Sequence, residues 1–438
     1  MIRAMIALGF VMSFSLVPSR DATMAANLPQ QSVTTVMAVG DIACDPASPD
    51  FHTGQGDARF CQEKATSDLV VQAHPDAVLV LGDNQYENAT LAGFLQSYDP
   101  TWGRFKNITH PVPGNHEYLT PDAAGYFSYF GSLARNDPGG YYSFDLGAWH
   151  IIALNSECDQ PGVGGCGVGS AQEQWLLNDL AANRASCTLA FWHEPRFTSG
   201  RNLNHPALQA FWQDLYAFGT AVVLNGHDHI YERFAPQDPL QRADPRGIRE
   251  FIVGGGGNNH QPGYGTIQPN SLVRDNTTYG VLRLTLRQDS YDWQYLSAQQ
   301  TGNGKFTDKG SGSCQGINAG SVTSAGPRAV PVVASERPGA AVARFTVDFS
   351  SALPGQGRVL FGSGPGCAGL VMSATADQGA GTTHHVFTVS GNDLPGTIGD
   401  IGITPGATYW YETVLETGAG MLVDDNGGTC YRVTVPGA

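Results

Sequence analysis

The sequence predicts an α/β layered domain, a mixed sheet covered by helices, followed by an all-β sandwich. Three observations carry this. From Thr34 to about Cys187, short apolar runs alternate with segments of helical spacing. Polar stretches containing Gly-Asp, Asn-His or His-x-His follow several of the apolar runs, where a β-α-β pattern places its strand ends. After residue 326, six β-rich runs are separated by Gly, Pro, Asp and Asn turns, a period suited to a sandwich of about 100 residues.

The elements follow in order. Arg3 supplies a positive charge, Ala4 to Val17 an apolar run, and Ala22 to Ala26 small residues, so 1–26 reads as a secretory signal peptide. The alternative, an uncleaved anchor, needs about 20 apolar residues, longer than this run. Thr35 to Val39 and Ala77 to Leu81 read as strands, each ending in Gly-Asp, with a helix from Cys61 to Gln72 between them. Helices are expected over Asp122 to Phe130, Ala171 to Ala182 and Pro206 to Ala217. Strands are expected over Tyr141–Phe144, His150–Leu154, Thr188–Trp192, Ala221–Leu224, Ile248–Val253, Gly280–Leu286 and Tyr291–Leu296. Residues 301–326, rich in Gly, Ser and Asn without apolar periodicity, read as a linker or a long closing loop. The C-terminal runs are Ala329–Val333, Ala341–Phe349, Arg358–Phe361, His384–Val389, Thr408–Leu415 and Cys430–Val435; with the phrase Pro405 to Tyr411 they resemble a fibronectin type III or immunoglobulin-like module.

Composition bounds the function. The 438 residues carry 24 Lys+Arg against 39 Asp+Glu, a formal charge of −15, which excludes nucleic-acid binding through a broad basic surface. Export puts the eight cysteines in an oxidising compartment, where an even count suggests disulfides. Of the 105 pairings that eight cysteines allow, proximity and context rank Cys44–Cys61, Cys158–Cys166, Cys187–Cys314 and Cys367–Cys430 first. Asn88, Asn107 and Asn276 lie in glycosylation sequons, which a eukaryotic secretory route would use.

Five stretches concentrate metal-ligand side chains behind apolar runs: Gly40-Asp41, Gly82-Asp83-Asn84-Gln85-Tyr86, Gly114-Asn115-His116-Glu117, Trp192-His193 and Gly226-His227-Asp228-His229. Each alone has a plain explanation, since Gly and Asp are what turns prefer. Together they supply carboxylate, amide oxygen and imidazole, a set suited to iron, manganese or zinc. The number of donors exceeds what one ion uses, so two ions sharing a bridging Asp is the economical reading. Gly82, Gly114 and Gly226 permit the tight turns that would bring donors from separate strands together.

This ordered set resembles the calcineurin-like metallophosphoesterases, and Gly82-Asp83-Asn84-Gln85-Tyr86 points to their purple acid phosphatase branch. The resemblance implies a four-layer αββα catalytic domain over residues 33–300, ahead of the linker at 301–326 and the sandwich at 327–438. It implies Asp41, Asp83, Tyr86 and His229 around one ion and Asp83, Asn115, His193 and His227 around the other. Most calcineurin-like enzymes carry Asp-x-His in the first motif; here it is Asp41-Ile42-Ala43, and Tyr86 fills the vacancy. A phenol of ordinary pKa about 10 is favoured as a ligand by a trivalent ion, so Fe(III) is expected at the Tyr86 site with Fe(II), Zn or Mn at the other.

By the same resemblance His116 would assist the leaving group as a general acid, oriented by Glu117 or another nearby carboxylate. His205, His260, Arg196 and Arg201 are candidate phosphate contacts; packed or solvated roles compete for each. The Gly254–Gly257 run has no helix behind it, so it reads as a turn with close backbone packing rather than a phosphate cradle. The expected function is a secreted phosphomonoesterase, extracellular or periplasmic, working by in-line attack of metal-bound hydroxide on small phosphorylated substrates. A phosphodiesterase or nucleotidase on the same site, and a non-catalytic metal-containing binding protein, are the competing readings. No nucleic acid, protein partner or membrane span after signal cleavage is expected.

Overall fold

The computed structural model describes residues 33–298, 306–314, 328–362, 371–372, 382–390, 407–417, 420–424 and 430–434, apart from 58, 136–138, 168–169, 184 and 338–339. The expected signal peptide, most of the expected linker, Cys367 and Pro405-Gly406 lie outside the described residues.

Thirteen strands in chain order build two sheets. They are β1 (Thr34–Val39), β2 (Ala77–Leu81), β3 (Thr109–Val112), β4 (Tyr142–Leu146), β5 (Trp149–Ala153), β6 (Cys187–Phe191) and β7 (Val222–Asn225). Then follow β8 (Tyr231–Phe234), β9 (Arg249–Val253), β10 (Ser271–Asp275), β11 (Gly280–Leu286), β12 (Ser290–Ser297) and β13 (Lys309–Ser313). One sheet has the order β13-β12-β11-β1-β2-β3 and the other β10-β8-β9-β7-β6-β5-β4. In the first sheet β1, β2 and β3 pair parallel and β11, β12 and β13 antiparallel; in the second β9, β7, β6 and β5 pair parallel between antiparallel edges, so both sheets are mixed.

Buried strands with two covered faces read as continuous apolar runs, and β2 and β6 are buried at every position. The two-residue period then sorts their side chains. Leu189 and Phe191 of β6, with Val222 and Leu224 of β7, join the core that also takes in β1, β2 and β11. Ala190, Trp192 and Val223 face a second core with Leu176 and Leu180 of the helix Ala171–Ala182 and Phe211, Trp212 and Leu215 of the helix Gln209–Ala217. The expected αββα layering is the observed one.

Three differences from the sequence reading have physical causes. β8 and β10 are short and half polar, so their pattern did not announce them. β13 lies inside the stretch read as a linker, and the two-sheet unit extends to Cys314, bonded to Cys187. Its Gly310 and Gly312 leave room for aromatic rings: a Cβ at Gly310 would stand 2.3 Å from Trp293, and one at Gly312 2.5 Å from Tyr291. Cys44–Cys61 and Cys158–Cys166 are also bonded as ranked. Cys430 is disulfide-bonded as well, while its expected partner is outside the described residues.

The described C-terminal residues form strands: β14 (Arg328–Arg337), β15 (Ala340–Gly362), β16 (Val371–Met372), β17 (Thr382–Ser390), β18 (Thr408–Thr417), β19 (Gly420–Asp424) and β20 (Tyr431–Thr434), all paired antiparallel. The runs 341–349 and 358–361 prove to be two ends of one strand. The first part of β15 pairs with β14 and β17, the last part with β18. Leu360, Val414 and Cys430 join the core outside the second sheet, so these residues pack on the two-sheet unit.

Candidate metal centre

Each predicted donor sits just past the carboxyl end of a strand, and two sheets contribute. Asp41 follows β1, Asp83 and Tyr86 follow β2, and Asn115 and His116 follow β3; His193 follows β6, and His227 and His229 follow β7. Turning the chain there requires unusual backbone. Asp41, Asp83 and His227 all have positive φ (61°, 46° and 69°), a region that costs residues with a Cβ. The preceding glycines are needed for space: a Cβ at Gly114 would stand 2.4 Å from Asp83 Oδ1, one at Gly226 2.6 Å from Asp41 Oδ2, and one at Gly82 2.6 Å from the His193 ring. The Gly254–Gly257 run closes against the backbone of Gly40 to Ile42, as a close-packed turn.

The donors form two groups joined by Asp83. In one, the Tyr86 hydroxyl lies 2.9 Å from Asp41 Oδ1, 3.0 Å from Asp83 Oδ2 and 3.0 Å from His229 Nε2. In the other, Asn115 Oδ1 is 3.2 Å from His193 Nε2 and 3.0 Å from His227 Nδ1, and His193 Nε2 is 3.3 Å from Asp83 Oδ2. Asp41, Asp83, Tyr86 and His193 are sealed, whereas Asn115, His116, His227 and His229 are half-buried and line the opening.

Supporting bonds fix which atom each donor presents. The His227 amide donates to Asp41 Oδ2 (2.9 Å) and the His116 amide to Asp83 Oδ1 (2.9 Å), leaving the other oxygen of each carboxylate aimed at the cluster. His193 Nδ1 donates to the Leu81 carbonyl at 2.8 Å and His229 Nδ1 to Asn259 Oδ1, so both present the Nε2 lone pair. The donor set fits cations on its own chemistry. One phenol proton cannot satisfy three acceptors within 3.0 Å, and lone pairs of Asn115, His193 and His227 face one another. Asp83, His193 and His227 bring their ligand atoms within 4.8 Å of one another. Cys44, Cys61 and Glu63 do so too, but there the sulfurs are bonded to each other.

His116 stands at the opening with Nδ1 2.6 Å from the Glu87 carbonyl, Nε2 3.9 Å from Asp83 Oδ2, and its ring 4.3 Å from that of Tyr86. Glu87 is therefore its orienting residue, its carboxylate 3.7 Å away. Glu117, expected in that role, turns inward instead. Its carboxylate accepts from the amides of Gly114 (2.7 Å), Asn84 (2.9 Å) and Asp83 (3.0 Å), pinning two ligand loops together. Burial, with the Asp83 charge second, pushes its carboxyl up, while the amide donors oppose the shift.

The remaining candidates are engaged elsewhere. His205 Nε2 is 2.9 Å from Glu194 Oε2, and that bond raises its imidazole above the ordinary value. The His260 ring packs 3.9 Å from Tyr279, and burial pushes it down to about 4. Arg196 donates to Gln209 over the Phe197 ring, and Arg201 to the Pro262 carbonyl. Sequence reasoning missed Glu87, Asn259 and Asp228. Asp228, the middle of His227-Asp228-His229, accepts from Thr198 Oγ1 and the amides of Arg201 and Asn202 and so holds the neighbouring loop.

Comparisons with known proteins agree with the fold. Residues 34–231 match the family model described as calcineurin-like phosphoesterase. Purple acid phosphatase 15 of Arabidopsis thaliana is 30% identical over 226 residues, 43% of this chain and 41% of that protein. Residues 34–231 are thus similar to the calcineurin-like phosphoesterases, and the relatives they match lie on the purple acid phosphatase branch. Human acid phosphatase type 7 is 28% identical over 42% of this chain and 48% of its own length. Probable inactive purple acid phosphatase 1 of Arabidopsis thaliana is 25% identical over 58% of this chain and 46% of its own. The chain thus spans about half the length of these curated relatives. Among solved structures, a purple acid phosphatase from yellow lupin (Lupinus luteus) seeds shares the fold, with a TM-score of 0.50 and 19% identity over 64% of this chain and 54% of that one.

Proposed function

We propose that the chain is a secreted phosphomonoesterase with a binuclear metal centre. Asp41, Tyr86 and His229 hold one cation, Asn115, His193 and His227 the other, and Asp83 both. The observation that carries this is the position of Asp83 Oδ2, 3.0 Å from the Tyr86 hydroxyl and 3.3 Å from His193 Nε2, between two otherwise separate donor groups. Bound there, two cations supply Lewis acidity toward a phosphoryl oxygen and lower the pKa of water. A phenol ligand favours Fe(III) on its side, with Fe(II), Zn or Mn on the other.

The chain's own residues do the rest. The half-buried opening admits an ester, while the sealed floor excludes bulk water. His116 donates Nδ1–H to the Glu87 carbonyl, which leaves Nε2 to hold the proton delivered to the leaving oxygen. A purely metal-binding role would need no such imidazole. Disulfides support export, and no helix among the described residues is long and apolar enough to cross a membrane. The packed C-terminal region serves as a folded spacer.

Because two relatives bear the word inactive in their names, the test is turnover together with metal content. Purified protein should carry about two metal ions per chain, absorb in the visible through tyrosinate-to-iron charge transfer, and hydrolyse a chromogenic monoester faster than a diester. His116→Ala should keep its metals and lose turnover. Unchanged activity in that variant removes the general acid; a colourless active protein removes Fe(III) and keeps the esterase; a faster diester establishes the competing reading.

A further inference from the structure

A second ligand-bearing cluster lies outside the candidate centre, where the helix Glu63–Ala73 begins. Cys44 Sγ, Cys61 Sγ and a Glu63 carboxylate oxygen lie within 4.8 Å of one another, and all three residues are buried. An acidic residue in the first turn of a helix is ordinarily favoured by the dipole while it stays in solvent. Glu63 is instead sealed from water, and neither of its oxygens has a hydrogen-bond partner. The amides of Cys44 and of Glu63 itself lie near the carboxylate, but outside hydrogen-bond geometry. A buried carboxyl left in that state carries its full desolvation cost. A neighbouring amide adds to the imbalance: Asn258 Oδ1 is 3.4 Å from Cys44 Sγ, and a sulfur bonded to Cys61 has no proton to give it.

The disulfide accounts for the two sulfurs and leaves these oxygens without a counterpart. Two thiolates and a carboxylate are a zinc-type donor set, whereas calcium and magnesium prefer oxygen alone. We propose that Cys44, Cys61 and Glu63 form a redox-gated cation site, closed while the sulfurs are bonded and able to hold a zinc-class divalent ion once they are reduced. Asn258 Oδ1 borders its fourth position. A thiol reductant supplies two electrons and two protons, its own sulfurs joining in a disulfide as the Cys44–Cys61 bond breaks. Cation binding then releases both thiol protons and leaves all three ligands anionic. The site adjoins the candidate centre without sharing a ligand with it: the Cys61 amide donates to the Asn258 carbonyl (3.0 Å) and the Asn258 amide to the Asp41 carbonyl (3.2 Å). It stands whether or not the phosphoester reading does.

The test compares the oxidised protein with protein reduced by dithiothreitol and freed of it under nitrogen. Each is given zinc, separated from the excess and analysed for metal, so that the difference between the two forms is independent of the ions held around Asp83. Reduction should add about one zinc per chain, and cadmium in its place should give a thiolate charge-transfer band in the ultraviolet. Cys44→Ser together with Cys61→Ser should abolish both. Glu63→Gln, which keeps the shape and removes the anionic ligand, should leave the disulfide intact and weaken zinc binding to the reduced form by about tenfold or more, the cost of losing even a supporting partner of a metal site. Cys158→Ser with Cys166→Ser should keep the added ion. No gain on reduction, a Cys44–Cys61 bond that the thiol does not open, or a gain that survives the loss of both cysteines would each overturn the proposal. So would a gain that Glu63→Gln leaves unchanged, as loose thiols of an unfolded chain would give.

Discussion

At the scale of single residues, the centre is set by backbone that most side chains cannot adopt. Three donors take left-handed φ, and the glycines before the motifs stand where a Cβ would strike a ligand. Gly114→Ala therefore presses on the Asp83 carboxylate. It should cut turnover by about a hundredfold, the scale of a 1 Å misplacement, with metal content falling in parallel by elemental analysis. Glu117→Gln halves the acceptors that face three amides. It should cost about 2 kcal/mol of stability in urea unfolding, since buried amides lose partners. The seven candidate donors that converge in the fold were legible as a set because each lies in a short motif behind an apolar run. The partners Glu87, Asn259 and Asp228 were not, because a carbonyl contact or a distant loop leaves no local spacing to read. Of the two options left open for orienting His116, Glu117 or another nearby carboxylate, the structure favours the second, because adjacency to His116 does not say which way a side chain turns.

At the scale of elements, apolar periodicity found those whose faces are buried and passed over those held by something else. The helix Ala171–Ala182 and the strand β11 fall where the pattern put them. β13 did not, because Gly and Ser give no alternation. Its inward positions are empty so that Trp293 and Tyr291 can fill them, and its fixation comes from backbone pairing to β12. Gly310→Val should then destabilise by about 1–3 kcal/mol through overpacking, read as a lower melting temperature. A valine raises strand propensity, so a rise in melting temperature would show that pairing, not ring packing, limits this edge. The long β15 escaped for the opposite reason, two separated apolar stretches being joined through residues of low hydropathy.

At the scale of the molecule, buried acids tilt stability toward low pH. Burial pushes the Glu63 carboxyl up to about 8, and Glu250 is raised too, by burial first and then by Glu232. A carboxyl whose folded pKa exceeds its unfolded value favours the fold fully below the unfolded pKa, about 4.3, and loses that contribution as pH climbs toward the folded value. His150 acts in the same direction: burial lowers its imidazole, but Asp179 and Asp145 outweigh this and raise it, so its contribution fades as pH rises past about 6.5. Glu63→Gln should thus raise the melting temperature at pH 9 and leave it nearly unchanged at pH 4, as followed by circular dichroism. Metal bound at the candidate centre would add a second molecular effect, because four of its seven candidate donors follow strands of one sheet and three follow strands of the other. Chelation should lower the melting temperature, and readdition of metal should restore it.

The bond between Cys187 and Cys314 joins residues 127 positions apart, from the start of β6 to just past β13. All three histidine donors hang on that closed ring, together with both glycines that cover Trp293 and Tyr291. A single protease nick anywhere inside the ring would produce two fragments that still migrate as one chain, and only a reductant would part them.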